Sequence, residues 1–171
     1  MKSQAFITTR NHEADAAHLN AQGLRITIEA DPDGTPFLAL TAPNGVKRYL
    51  NPGDALVWNP NTHEVWYLSR GDVEAAQRTN PGTPFTHLRY SYYIMSEDMG
   101  QDLGALQREG LTCQICASHL DGTDMEPAID ILDLYGEYGN LAYPGDMIVY
   151  TDGVLYETIP QDVHEAVKAA S

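Results

Sequence analysis

A chain of 171 residues with 43% apolar and 20% charged side chains holds one ordinary domain or two small ones, since a domain takes roughly 100 to 150 residues, and so apolar a composition excludes wholesale disorder. No apolar run reaches the roughly 18 residues that span a bilayer, and residues 1–10 lack the charged start and apolar core of a signal peptide, so an unexported protein with no membrane partner is expected. The net charge of −14 argues against direct nucleic-acid binding, which takes a basic surface, and it is unevenly spread: residues 1–85 carry 9 acidic and 7 basic groups, residues 86–171 carry 15 and 3.

Residues 4–8 alternate like a short strand, and residues 11–22 form a helical stretch opened by Asn11 and stopped by Gly23. Leu24, Ile26, Ile28 and Ala30 recur at every second position, which predicts a strand with one face in the core. A further strand covers residues 37–41. Pro52-Gly53-Asp54 then makes a turn, in which Pro presets φ, Gly permits positive φ and Asp caps nearby N–H groups. It leads into a hairpin over residues 55–59 and 65–68 and a short helix from near Asp72. A linker rich in Pro, Gly and Thr follows at residues 79–84.

The series then returns. At an offset of 87, Ile7, Asp15, Leu19, Gly23, Leu24, Ile28 and Ala30 recur as Ile94, Asp102, Leu106, Gly110, Leu111, Ile115 and Ala117. Asp33-Gly34-Thr35 recurs as Asp121-Gly122-Thr123 at 88, and Pro52-Gly53-Asp54 as Pro144-Gly145-Asp146 at 92. Leu56-Val57-Trp58 answers to Ile148-Val149-Tyr150, Tyr67 to Tyr156, and Asp72-Val73 to Asp162-Val163. The strands, helix and hairpin therefore repeat over residues 89–95, 98–109, 111–117, 128–134, 147–150 and 154–158, with Asp152-Gly153 as a tight-turn signal. The expected architecture is α+β, an internal duplication of a β-α-β-β-β-β-α module: residues 1–82 are the first copy, residues 83–171 the second and more acidic one. A unit of that size buries little surface alone, so the two are expected to pack as a pseudo-dimer or to associate into a homo-oligomer.

The run Tyr143-Pro144-Gly145-Asp146-Met147-Ile148-Val149-Tyr150, continued by Gly153, Tyr156, Pro160 and Val163, resembles a small module common in predicted bacteriophage proteins; residues 51–73 resemble it more weakly. Both copies depart from the module's usual aromatic after Pro-Gly-Asp, having Ala55 and Met147 there. The resemblance implies a phage origin and no particular chemistry.

Cys113-Gln114-Ile115-Cys116 has the spacing of a zinc or redox pair, but on a strand residues three apart point to opposite faces, so the thiols diverge. Pro52-Gly53-Asp54 with Pro60 and His63 resembles half of a cupin metal motif; the His-x-His half is missing, and a cupin-like metal enzyme is the weakest reading. No Ser-His-Asp set, P-loop lysine or Gly-x-Gly-x-x-Gly run occurs, so no catalytic residue, metal or cofactor is assigned. Trp58, Trp66 and Tyr67, echoed by Tyr150 and Tyr156, read as core, as an interface or as a platform for stacking a base. Tyr90, Tyr92, Tyr93, Tyr135, Tyr138 and Tyr143 give the acidic half a high density of tyrosine, a residue that offers rigid contact area with a polar tip.

The expectation is a non-enzymatic, phage-encoded binding protein acting in the cytoplasm of the infected bacterium on a host or phage protein. In one version Glu126, Asp130 and Asp133 imitate nucleic-acid phosphates at a basic site on a host or defence factor. In another, Trp or Tyr stacks a nucleotide base while Lys47 or Arg48 meets phosphate. The alternative is a virion structural component, a decoration or head-tail protein, because a β-rich duplication also suits symmetric assembly.

Overall fold

The structure is a computed structural model that describes residues 2–120 and 124–170. Within these the chain is mixed α+β, and it divides into two compact units, Met1–Glu74 with Glu165–Ser171, and Ala75–His164. No helix among the described residues is long and apolar enough to cross a membrane. The expected echo at Asp121-Gly122-Thr123 lies outside the described residues.

In the first unit β1 (Gln4–Ile7) leads to α1 (His12–Ala21), then β2 (Ile26–Ala30), β3 (Pro36–Thr41), β4 (Lys47–Leu50), β5 (Ala55–Trp58) and β6 (Val65–Leu68), before α2 (Arg70–Arg78). The strands form two antiparallel three-stranded sheets, ordered β1-β5-β6 and β2-β3-β4. Leu19 and Ala16 of α1 close on Ile26, Leu38, Leu40, Leu50, Leu56 and Trp58 to make the core. Asn11 caps α1 by accepting the Ala14 N–H, and the buried Asp15 carboxylate accepts the Thr9 N–H at 2.6 Å. An acidic group there also suits the positive end of the helix.

The second unit contains β7 (Phe85–His87), β8 (Tyr90–Ile94), α3 (Met99–Arg108), β9 (Cys113–Leu120), β10 (Asp124–Ile131), β11 (Asn140–Ala142), β12 (Met147–Thr151) and β13 (Val154–Ile159), with α4 (Gln161–Ala169) after them. Its sheets are β13-β12-β8-β7 and β11-β10-β9, antiparallel throughout. Leu106 and Ala105 of α3 pack on Tyr93, Cys113, Ile129, Ile131, Ile148 and Leu155. Asp98 caps α3 through the Gln101 N–H, and the fully buried Asp102 accepts from the Ser96 N–H at 3.0 Å and the Ser96 hydroxyl at 2.8 Å.

Element order and strand pairing from β1 through α2 thus recur from β8 through α4, and the same local bonds recur with them. Thr8 donates its N–H to the Asp54 carbonyl and accepts the Gly53 N–H, as Met95 donates to the Asp146 carbonyl and accepts the Gly145 N–H. Three differences from the expected module stand out. Each unit has one strand more than the sequence pattern suggested, β4 or β11, because Lys47-Arg48-Tyr49-Leu50 carries two cations and Asn140-Leu141-Ala142 is only three residues long. The second unit adds β7 from the end of the linker, alongside β8.

The third difference concerns register. Leu56 faces Tyr67 across the first hairpin, whereas its counterpart Ile148 faces Thr158, so Tyr67 corresponds in position to Thr158 and not to Tyr156. Burial along the last helices agrees: Asp72 and Val73 are inside α2, Val163 and His164 inside α4, a step of one residue from the sequence match. The short Asp152-Gly153 turn and the register shift between Val149 and Tyr150 account for the slip.

Candidate functional site

Three exposed residues of the second unit, Leu134, Tyr135 and Tyr156, come together where the loop between β10 and β11 faces β13. Asp133 organises that loop: one carboxylate oxygen accepts the N–H of Tyr135 at 2.8 Å and of Glu137 at 3.0 Å, while the Asp133 N–H donates to the Glu137 carbonyl. Asp130 closes the other end by accepting the Gly139 N–H at 2.7 Å. This use of carboxylates as caps on loop N–H groups is common in turns. It leaves Leu134 and Tyr135 at the crest of the loop, 68% and 84% exposed.

Opposite the loop, β13 contributes Leu155, Tyr156, Glu157 and Thr158, and β11 contributes Asn140 and Leu141, to an open groove of about 490 Å³. The Thr158 hydroxyl is buried there with no hydrogen-bond partner among the described residues. Tyr156 extends the surface past the groove, because its ring lies 5.1 Å from that of Tyr90, and the Arg89 guanidinium sits 4.9 Å from the Tyr90 centroid. Two carboxylate residues, Asp133 and Glu157, line this surface. Leucines and tyrosines beside acidic groups are suited to hold an apolar side chain of a positively charged protein surface. Among the described residues no group of three His, Cys, Asp or Glu is placed to hold a metal ion.

The residues singled out from sequence fall into separate places. Trp58 is in the first core and Tyr150, its counterpart, in the second, so neither offers a face for stacking a base. Tyr150 donates to Glu109 at 2.9 Å, and burial together with that carboxylate pushes its hydroxyl pKa well up. Tyr67 is half-buried and donates to Asp54 at 2.8 Å, with the same upward shift led by burial. Arg48 lies over the Tyr67 ring, 4.7 Å from its centroid. Trp66, paired with Val57, points to the opposite side of β6 from Tyr67. Lys47 is on the opposite face of β4 from Arg48 and is paired with Glu29 at 2.9 Å. Within the first unit, Arg48 and Tyr67 are brought together, and Lys47 is turned away from them.

Glu126 and Asp130 share one face of β10, with Glu126 exposed, whereas Asp130 and Asp133 hold loop N–H groups. Two of the three expected phosphate mimics thus have a local structural task. Asp54 and Asp146 do likewise: Asp54 accepts the N–H groups of Asn51 and Arg70, Asp146 those of Tyr143 and Gln161. Cys113 is buried and Cys116 partly exposed on the other side of β9, and both are free thiols. His63 occupies an exposed loop at φ 61.

Sequence reasoning passed over Leu88 and Leu134, two of the most exposed apolar residues. The available signal was a missing one: neither Leu88-Arg89 nor its flanks carry the Gly or Asn that a two-residue hairpin turn favours. Comparisons with models of protein families, with curated proteins and with solved structures found no match.

Proposed function

We propose that the chain is a non-enzymatic binding protein of a bacteriophage, in which the second unit docks on a basic host protein in the infected cytoplasm and so inhibits it. The observation that carries this reading is the groove flanked by Leu134, Tyr135 and Tyr156 on the half of the chain with 15 acidic and 3 basic groups. Opposite charge accelerates encounter and selects the partner, while buried aromatic contact supplies the affinity. The phage setting follows from the Pro-Gly-Asp strand's resemblance to phage modules. The shared strand order, helix caps and Pro-Gly-Asp turns support descent from a duplicated module, with the second copy diverged toward binding.

The test is affinity capture from bacterial lysate with three proteins: the natural chain, the double variant Tyr135→Ala with Tyr156→Ala, and Tyr49→Ala, which alters an exposed tyrosine of the first unit. A basic protein retained by the natural chain and by Tyr49→Ala, and lost with the double variant, is the expected result. Retention that ignores the double variant would refute the reading. Recovery of the chain in many copies from purified phage particles would instead establish a virion component.

A further inference from the structure

We infer that Leu88, at the tip of the β7–β8 hairpin, is the apolar knob that the second unit inserts into a hydrophobic pocket of its basic protein partner; this rests on the binding reading above. Phe85 pairs with Tyr92 and His87 with Tyr90, so Leu88-Arg89 is the whole two-residue turn. Such turns demand positive φ and are ordinarily made of Gly, Asn or Asp. Leu88 adopts φ 55 all the same and is 86% exposed. It holds an unfavourable backbone conformation and gains almost no burial for its side chain. Local rules broken without a gain in packing are found where a residue serves something outside the fold.

The tip is held in place and belongs to the same surface as the groove. The Thr151 hydroxyl donates to the Arg89 carbonyl at 2.7 Å, tying the turn to β12. From there contacts run without a break: Arg89 over Tyr90, Tyr90 against Tyr156, and Tyr156 in the groove wall. Arg89 lies along an aromatic face, while acidic residues stand at Asp152, next to Thr151, and at Glu157 in the groove wall. Among the described residues of the first unit no strand flanks β1 as β7 flanks β8. A second copy of this chain would bring the same acidic field against itself, which disfavours self-docking, whereas a Lys- and Arg-rich surface complements it.

The experiment replaces Leu88, Tyr135 or Val46 in turn with the photocrosslinker p-benzoylphenylalanine in the full chain and irradiates each in bacterial lysate. Val46 is an exposed apolar residue of the first unit and serves as control. Positions 88 and 135 are expected to crosslink the same basic protein, absent from position 46, with a yield that falls as salt rises from about 50 to about 300 mM. That protein is then purified and titrated with Leu88→Gly, which relieves the positive φ. The variant is expected to be at least as stable as the natural chain and to bind about tenfold more weakly. Unchanged affinity, a crosslink from 135 but none from 88, or a crosslinked homodimer would overturn the knob assignment while leaving the groove reading standing in the first two cases. No basic adduct from either position would overturn both.

Discussion

Replacing Gly153 by Ala tests whether the hairpin that carries Tyr156 is seated as described. Asp152 and Gly153 form the two-residue turn between β12 and β13 with φ of 50 and 74, and a Cβ on Gly153 would stand 2.8 Å from the Gly110 carbonyl oxygen at the end of α3. Two costs follow. An L-residue in the left-handed region costs about 1–2 kcal/mol, and forcing backbone apart around an added methyl costs about 1–3 kcal/mol. The internal control is Gly136→Ala, at φ 78 with nothing among the described residues within 4 Å of its Cβ, which carries only the first cost. At about 2–4 °C per kcal/mol for a chain of this size, calorimetry should find Gly153→Ala lowering Tm by about 4–20 °C and Gly136→Ala by about 2–8 °C, with Gly153→Ala the lower of the two. Equal losses would show that the turn does not approach α3 so closely, and the groove wall built on β13 would then be misplaced.

Three further outcomes are expected. Tyr93→Phe removes the hydroxyl that donates at 2.7 Å to the fully buried Asp102; losing a bond to a charged group should cost about 1.5–3 kcal/mol in chemical denaturation, and an unchanged midpoint would contradict the bond. Burial raises the Asp146 carboxyl above 3.8, against the lowering effect of the Tyr143 and Gln161 N–H groups. The folded state therefore holds this proton more tightly than the unfolded one, so the group's contribution to stability is complete below 3.8 and is lost as pH rises through its folded-state value. An NMR titration should give a midpoint above 3.8, and a midpoint at or below it would reverse that sign. A thiol reagent should modify Cys116 well before Cys113, slowly near neutral pH because burial raises both thiol pKa values; equal rates would place Cys113 outside the core.

The main elements were legible because their signals are local. Asn11 and Asp98 as caps, Gly23 and Gly110 as stops, and the Pro-Gly-Asp turns each act over a few residues. Strand β4 was not legible: Lys47, Arg48 and Tyr49 are exposed, and the strand exists through its pairing with β3. The alternation through Ile28 and Ile115 predicted a continuous core face, yet these residues are 45% and 47% exposed, because the cores reach only as far along β2 and β9 as Ile26 and Cys113. Matching Tyr67 with Tyr156 followed residue identity, whereas strand register is set by turn length, and the first hairpin has the longer loop. For the site, tyrosine density and charge pointed to the half of the chain in which the groove lies. They did not separate Tyr92 and Tyr93, which are fully buried, from Tyr135 and Tyr156, which are exposed. That separation depends on which face of a strand meets the core, and on a loop folded about Asp133.

The central claim is that the acidic, tyrosine-lined face of the second unit is where a partner docks. Hydrogen exchange on the complex with the captured protein, compared with the chain alone, tests it directly. The account predicts slowed exchange at residues 86–91, 133–139 and 155–158, with residues 26–50 unchanged. Protection confined to residues 26–50, or spread evenly over both units, would contradict it.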